Sequence, residues 1–292
     1  MAIEGVFVGL STVDVIYNVA EFPVANTKAA ARSQDVFIGG PATNAAITFN
    51  RLGGKATLVT AVGRHPVSTL IRDEMKKFAV DCIDLNPELD EFPSISSVAV
   101  DDAGRRNVVS ANASRIRIPY PVINRKVLEQ AKVVLVDGHA MQACQVWANA
   151  GKVLGKPVVL DAGSWKNGTD ELLKSVDTVI CSGDFSAPEC VTESELIEFL
   201  QDRGVTNVAI TRGAEPVRFF SHANSGEMPV PQVDVVDTMG AGDVFHGAFC
   251  YFYSTGKGFE EALELAAGVA SESCRYRGTR EWMEHLKADV GR

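Results

Sequence analysis

Residues 233–249 read VDVVDTMGAGDVFHGAF. The run Val233-Asp234-Val235-Val236 predicts a short strand that ends at Asp237-Thr238. Gly240-Ala241-Gly242 then turn the chain with small residues, and Val244, Phe245, Ala248 and Phe252 share the apolar side of the helix that follows. Small residues ahead of a helix let consecutive backbone N–H groups point outward at the positive end of the helix dipole, which makes an anion site without Lys or Arg. Asp243 falls in the first turn, beside that site, where a carboxylate can accept the proton of a hydroxyl attacking a phosphoryl group. A plain strand-to-helix turn would use GAGD alone; the longer string is much more specific.

A second informative segment is 37–63, FIGGPATNAAITFNRLGGKATLVTAVG. Gly39-Gly40 permit a ligand to approach the backbone closely, and Pro41 opens a helix whose first turn carries Asn44, a side chain with both a donor and an acceptor. Between and beyond these segments the chain alternates. Short apolar runs at 5–10 and 56–62 predict strands, and those at 133–136, 158–160, 178–180 and 208–211, apolar throughout, predict strands covered on both faces. Helical patterns at 67–78, 141–154, 169–176 and 193–203 separate them, the last opening on the capping-box sequence Thr192-Glu193-Ser194-Glu195. Repeated strand–helix units imply a mostly parallel sheet with helices on both sides, a three-layer α/β/α fold. Two stretches, about 11–38 and 93–118, lack a helix and predict a small extra sheet, the second as a hairpin turning at Asp101-Asp102-Ala103-Gly104.

These segments resemble the signatures of the PfkB/ribokinase family of carbohydrate kinases, GG-P-x-x-N-x-A near the N-terminus and DT-x-GAGD near the C-terminus, and the likeness runs from Gly9 to about Arg277. Neither a Walker-A sequence nor the glycine-rich loop of protein kinases is present. The resemblance implies a ribokinase-like fold, one kinase domain over 1–292 with a small β lid from about 11–38 and 93–118, and transfer of the γ-phosphate of ATP to a sugar hydroxyl with Mg²⁺. It implies that Asp243 is the general base and that the N–H groups of Gly240, Ala241, Gly242 and Asp243 form an anion hole. Asp14, Gly39, Gly40 and Asn44 would hold the sugar, and Thr211, Gly213, Asp237 and Thr238 would face the nucleotide. Lys28, Asn26, Asn112, Arg115 and His139 are candidate specificity residues. Lids of this family often pair into a dimer, which would also bury their sheet edges.

The chain departs from the family's Asn-x-x-Glu motif, reading Ser182-Gly183-Asp184-Phe185, so the metal's ligands stay unassigned. It also has Arg64-His65-Pro66 where an acidic run is common. The segment GLSTVDVIYNVAEFP (9–23) looks most like the ketohexokinase and sulfofructose-kinase branch. A sulfonate would want a permanent cation, which His139 is not, so a neutral ketose is the expected substrate. A nucleoside acceptor, with Phe22, Phe37 or Phe92 as a stacking wall, and a non-catalytic sugar-binding role are the alternatives.

Composition agrees. The 292 residues carry 28 Lys and Arg against 37 Asp and Glu, a net charge of −9, which argues against nucleic acid or an anionic membrane as the main partner. No apolar run approaches the roughly 18–20 residues of a membrane span. Met1-Ala2-Ile3-Glu4-Gly5 has no basic leader pattern, and six scattered cysteines without a CxxC pair read as reduced thiols, so a cytoplasmic protein is expected.

Overall fold

The structure is a computed structural model that describes residues 2–102, 105–111, 118–119, 122–221 and 223–286. Its large sheet consists of β1 (Glu4–Val8), β4 (Lys55–Thr60), β5 (Asp81–Asp84), β8 (Val133–Val136), β9 (Val158–Ala162), β10 (Thr178–Ser182), β11 (Asn207–Arg212), β12 (Glu215–Ser221) and β13 (Ser225–Met228). A second sheet is built from β2 (Thr12–Asn18), β3 (Ser33–Gly39), β6 (Ser94–Val100) and β7 (Arg106–Ser110). The large sheet runs β13-β12-β11-β10-β9-β8-β1-β4-β5 in space. It is parallel from β5 to β11, and only β12 and β13 join antiparallel.

The apolar runs behave as doubly covered strands must. Along β1, Phe7 enters one core while Val6 and Val8 enter the other; along β8, Val133 and Leu135 alternate with Val134 and Val136 in the same way. The first core is closed by α1 (Pro41–Arg51), α2 (Ser68–Lys77), α7 (Ala241–Ser254), α8 (Phe259–Ser273) and α9 (Trp282–His285). The second is closed by α3 (Arg125–Gln130), α4 (Met141–Val153), α5 (Thr169–Leu173) and α6 (Glu193–Gln201). The capping box forms as its spacing predicts: Thr192 accepts from the Glu195 N–H, and the Glu195 carboxylate accepts from the Thr192 N–H. Among the described residues no helix is long and apolar enough to cross a membrane, and all six cysteines are unpaired.

Strand order reverses beside β1. The chain leaves β1 for the small sheet, returns through α1 to β4 and β5 on one side, and then builds β8 onward on the other side. In open α/β sheets such a switch point opens a crevice at the carboxyl ends of the strands, where ligands bind. The small sheet hangs there: β2 pairs antiparallel with β3 and parallel with β6, and β6 pairs antiparallel with β7.

One predicted strand is absent. Residues 233–236 join no sheet; Val235 and Val236 are exposed, and the N–H of Val236 bonds the Cys274 carbonyl. This apolar run pairs with no strand and instead borders two cavities.

The helices α1 and α7 cross in close contact at Gly247, where an added Cβ would lie 2.4 Å from the Ala45 carbonyl oxygen and 2.8 Å from Thr48 Cβ. Gly→Ala inside a helix ordinarily stabilises by up to about 1 kcal/mol. Gly247→Ala is expected to reverse that sign and destabilise by about 1–3 kcal/mol, because the helices must separate. Urea unfolding of the variant and parent measures it; an unchanged or raised midpoint would show that the crossing is loose.

Candidate active site

The site grows from two glycines. Gly40 caps α1 at φ 100° and Gly240 caps α7 at φ 67°, both in the left-handed region that favours glycine. A Cβ on Gly40 would strike the Leu10 carbonyl oxygen at 2.2 Å, and one on Gly39 would strike Asp14 Oδ2 at 2.1 Å. Gly39-Gly40 therefore let the β3–α1 turn lie directly against Asp14 and the end of β1.

From that turn the contacts run on without a gap. Asn44, buried in α1, donates from Nδ2 to Asp243 Oδ2 at 2.6 Å. Asp14, Gly39, Gly40, Asn44 and Asp243 are thus brought together, although Asn44 and Asp243 lie 199 positions apart. Asp14 is half-buried; Thr12 Oγ1 donates to its Oδ1 at 3.3 Å. Across the register Asp14 faces Phe37 on β3 and Ser96 on β6, and Ser96 faces Ser110 on β7, so the inner face of the small sheet presents Phe37, a carboxyl and two hydroxyls in one row.

At the start of α7 the N–H of Ala241 turns back to the Thr238 carbonyl at 3.3 Å, while those of Gly240, Gly242 and Asp243 meet no acceptor among the described residues. These three N–H groups at the positive helix end are the part of the predicted anion hole left open for a ligand. Burial pushes the Asp243 carboxyl up to about 7, with the neighbouring Asp161 charge adding to it and the Asn44 hydrogen bond opposing it. Asp14 is raised by burial, and hydrogen bonds from Ser96 and Thr12 and the charge of Arg280 work the other way.

The nucleotide-side residues divide. Thr211, Gly213 and Thr238 line a cavity of about 300 Å³ whose walls include Val217, Phe245 and Ala270. The Asp237 carboxylate is instead taken up by the protein: Oδ1 accepts from Met239 N–H and Arg106, and Oδ2 accepts from Gly278 N–H. Arg106 also donates to Thr238 Oγ1, which ties β7 to this loop. A second cavity, about 500 Å³, lies between the small sheet and the chain at 235–239, with Phe37, Ile16, Arg106 and Thr238 in its walls.

Among the specificity candidates, His139 stands at the carboxyl end of β8, half-buried, its N–H donating to Asp137 Oδ1. Lys28 is exposed in the loop joining β2 to β3, and no contact among the described residues joins it to the Asp14–Asp243 group. Asn112 and Arg115 lie outside the described residues.

Four residues escape a sequence reading. Asp137 is buried and accepts from the N–H groups of Leu10, Ala42 and His139, binding β1, α1 and β8 together at the switch point. Asp161 and His246 are both buried, 3.5 Å apart, behind Asp243. Arg280 reaches Asn44 from the C-terminal turn, donating to its Oδ1 at 2.9 Å. Asp137 and Asp161, directly after the predicted strands 133–136 and 158–160, carried a positional signal; His246 and Arg280 carried none.

No group of three or more His, Cys, Asp or Glu suited to a metal ion occurs among the described residues. Mg²⁺ is commonly held by substrate phosphates, waters and one or two carboxylates, a mode that needs no such protein cage.

The chain matches its relatives over most of their length. It is 22% identical to ribokinase of Haemophilus influenzae over 302 aligned residues, covering 95% of this chain and 97% of that protein. It is 24% identical to fructosamine kinase FrlD of Bacillus subtilis over 262 residues, covering 85% and 87%. Among solved structures, ribokinase of Arabidopsis thaliana complexed with ribose and ATP superposes with a TM-score of 0.81 at 23% identity, over 95% of this chain and 94% of that one. Ribokinase of Thermotoga maritima gives 0.80 at 24% identity, over 98% and 99%. These likenesses establish a ribokinase-like fold. The pfkB carbohydrate kinase family matches residues 4–286, and with that span the chain belongs to this family of phosphotransferases acting on sugar hydroxyls.

Proposed function

We propose that the protein is an ATP-dependent kinase that phosphorylates a primary hydroxyl of a neutral sugar, a fructose-like ketose in first place. The observation that carries this reading is the Asn44–Asp243 hydrogen bond beside the open N–H groups of α7. It fixes one carboxylate oxygen and leaves the other to receive a proton next to the place where a phosphoryl group is held.

In this reading the acceptor lies against the row Phe37, Asp14, Ser96 and Ser110 and the backbone of Gly39-Gly40. The acceptor O–H bond breaks toward Asp243 as its oxygen bonds the γ-phosphorus, and the bond to the ADP oxygen breaks on the opposite side. The N–H groups of Gly242 and Asp243 meet charge on the transferred oxygens. Mg²⁺, arriving on the nucleotide phosphates, would neutralise part of that charge. The 300 Å³ cavity, largely apolar, takes the nucleotide base. Arg106, bridging β7 to Asp237 and Thr238, holds the small sheet over the site as a lid.

A neutral acceptor follows from charge. Asp14 faces it from the small sheet, and an acceptor's sulfonate or phosphate placed beside that carboxyl, away from the open N–H groups of α7, would be repelled at close range. A nucleoside acceptor is the second reading, because Phe37 borders the 500 Å³ cavity. The other two candidate stacking rings are engaged elsewhere: Phe22 lies under Arg105, 5.8 Å from ring centre to guanidinium, and Phe92 lies against His65 at 4.0 Å.

ADP release over a panel of ketoses, aldoses, sulfofructose and nucleosides tests the reading. Turnover is expected with a ketose; turnover with nucleosides alone would replace the sugar by a nucleoside, and none at all would leave a binding protein. With the active acceptor, Asp243→Asn is expected to lower kcat by about 10²–10⁴-fold. In the parent, kcat/KM is expected to rise with pH through about 7 as Asp243 loses its proton, a limb that the variant lacks. Near-parental turnover in Asp243→Asn rules out the base.

The same carboxyl sets a pH dependence of stability. Its folded pKa is raised from 3.8 to about 7, so the folded chain holds an extra proton between those values and loses this contribution as pH rises through about 7. Asp243→Asn should therefore gain in Tm over the parent as pH increases from about 4 to 8, followed by calorimetry. A gap that is constant across this range would show that the carboxyl is not destabilised by burial.

A further inference from the structure

Arg280 lies in the turn after α8, far in sequence from Glu74, Ile38 and Asn44, which its side chain touches. Its side chain is only 11% exposed, and its donors go to four different parts of the fold. Nε donates to Glu74 on α2 at 2.9 Å, and one terminal nitrogen donates to the Ile38 carbonyl at the end of β3 at 2.7 Å. The other terminal nitrogen donates to Asn44 Oδ1 at 2.9 Å and to its own neighbour's carbonyl at Thr279, 3.2 Å away. A guanidinium this buried costs heavily in desolvation, and Glu74, 17% exposed, is its counter-ion.

The contact with Asn44 has a chemical consequence. An amide has a carbonyl end and an amino end, and either can face a neighbour if nothing selects between them. Arg280 can only donate, so it takes the oxygen of Asn44 and leaves the amino end facing Asp243, where it donates at 2.6 Å. The reversed amide would set a carbonyl oxygen against the Asp243 carboxylate. The same guanidinium holds the carbonyl of Ile38, the residue before Gly39-Gly40, so the acceptor turn and the base are referred to one rigid group.

We propose that Arg280 is a positioning residue for phosphoryl transfer: its guanidinium locks the Asn44 amide in the one orientation that donates to Asp243. This rests on Asp243 acting as the base. Arg280 also acts on both carboxyls of the site through its charge, opposing the upward push of burial on Asp14 and interacting with Asp243. The other charged or titratable groups facing Asp243 are Asp161 on β9, Asp137 after β8 and His246 on α7 itself. None of these contacts the Asn44 amide, so removing Arg280 alters Asp243 through Asn44 and through its own charge.

The test follows the Asp243 carboxyl directly, by ¹³C NMR of aspartate-labelled protein, with Asp243→Asn to assign the signal. In Arg280→Ala the titration midpoint is expected to move up from about 7 by about one pH unit, since a hydrogen bond to the charged form and a nearby cation are both lost. Millimolar guanidinium should return it toward the parental value. With the acceptor found by the ADP screen, kcat at pH 7 should fall by about 10²-fold, more than KM rises, and recover with guanidinium. Arg280→Lys keeps the charge without the fork and carries the same comparison if Arg280→Ala does not fold; its midpoint is expected to move up by less. A folded variant whose Asp243 midpoint stays parental overturns the proposal, whatever its Tm. Full turnover in Asp243→Asn removes the base reading instead and leaves the midpoint comparison standing, so the two failures are separate.

Discussion

The crossing of α1 over α7 at Gly247 is the constraint on which the site depends. Without a side chain there, the Ala45 carbonyl comes within van der Waals reach of α7, and the first turns of both helices meet. Two helix N-termini brought together place two positive dipole ends side by side, which is unfavourable unless negative charge lies between them. The chain supplies it from both sides: Asp243 in the first turn of α7, and the Asp137 carboxylate accepting from the N–H of Ala42 at the start of α1. In the proposed reading the space left over takes a third negative group, a phosphate. The geometry that makes the structure awkward to build is therefore the geometry that makes it receptive.

Charge in the site is graded. On the acceptor side the carboxyls of Asp14 and Asp243 are raised by burial, and Asp161 behind them is raised for the same reason. On the donor side the open groups are backbone N–H at a helix end. A chain with a net charge of −9 can in this way hold a polyanion without a patch of Lys and Arg. Buried carboxyls at these distances would be costly if nothing opposed them; Arg280, paired with Glu74, is the permanent cation set against Asp14 and Asp243, and the His246 ring lies 3.5 Å from Asp161. Those two are reached through the core, so they hold the carboxyls without competing for the face that a substrate needs.

What was legible in the sequence follows from how far apart the partners are. Gly39, Gly40, Asn44, Gly240 and Asp243 sit within local motifs, each with a backbone reason for its place, and the structure joins them at one point. Doubly covered strands such as 133–136 showed themselves by being apolar throughout, and the capping box at Thr192 by its spacing. Asp161 was marked only as the residue after the predicted strand 158–160, and His246 and Arg280 gave no signal, because each acquires its role from contacts that only the tertiary fold creates: Arg280 and Asn44 are 236 positions apart. The run 233–236 misled for a physical reason. Apolar, β-branched residues predict a strand when they are destined for a sheet, but Val235 and Val236 are apolar and exposed at the edge of cavities instead.

That run also explains how the two halves of the site are kept distinct. Val235 and Thr238 are in the walls of both cavities, so a single stretch of extended chain divides the nucleotide side from the space under the small sheet. It is held straight by the Cys274 carbonyl on one side and by Asp237, which Gly278 and Arg106 grip from opposite directions. The divider ends at Gly240, where the chain turns into α7, and there the open N–H groups of Gly242 and Asp243 stand. A phosphoryl group moving between the compartments would cross at that end, past Asp243. In the proposed reading the acceptor wall comes from β2, β3, β6 and β7 and the phosphate end from α7, so residues on the small sheet would change which acceptor is held without disturbing the groups that handle the phosphate.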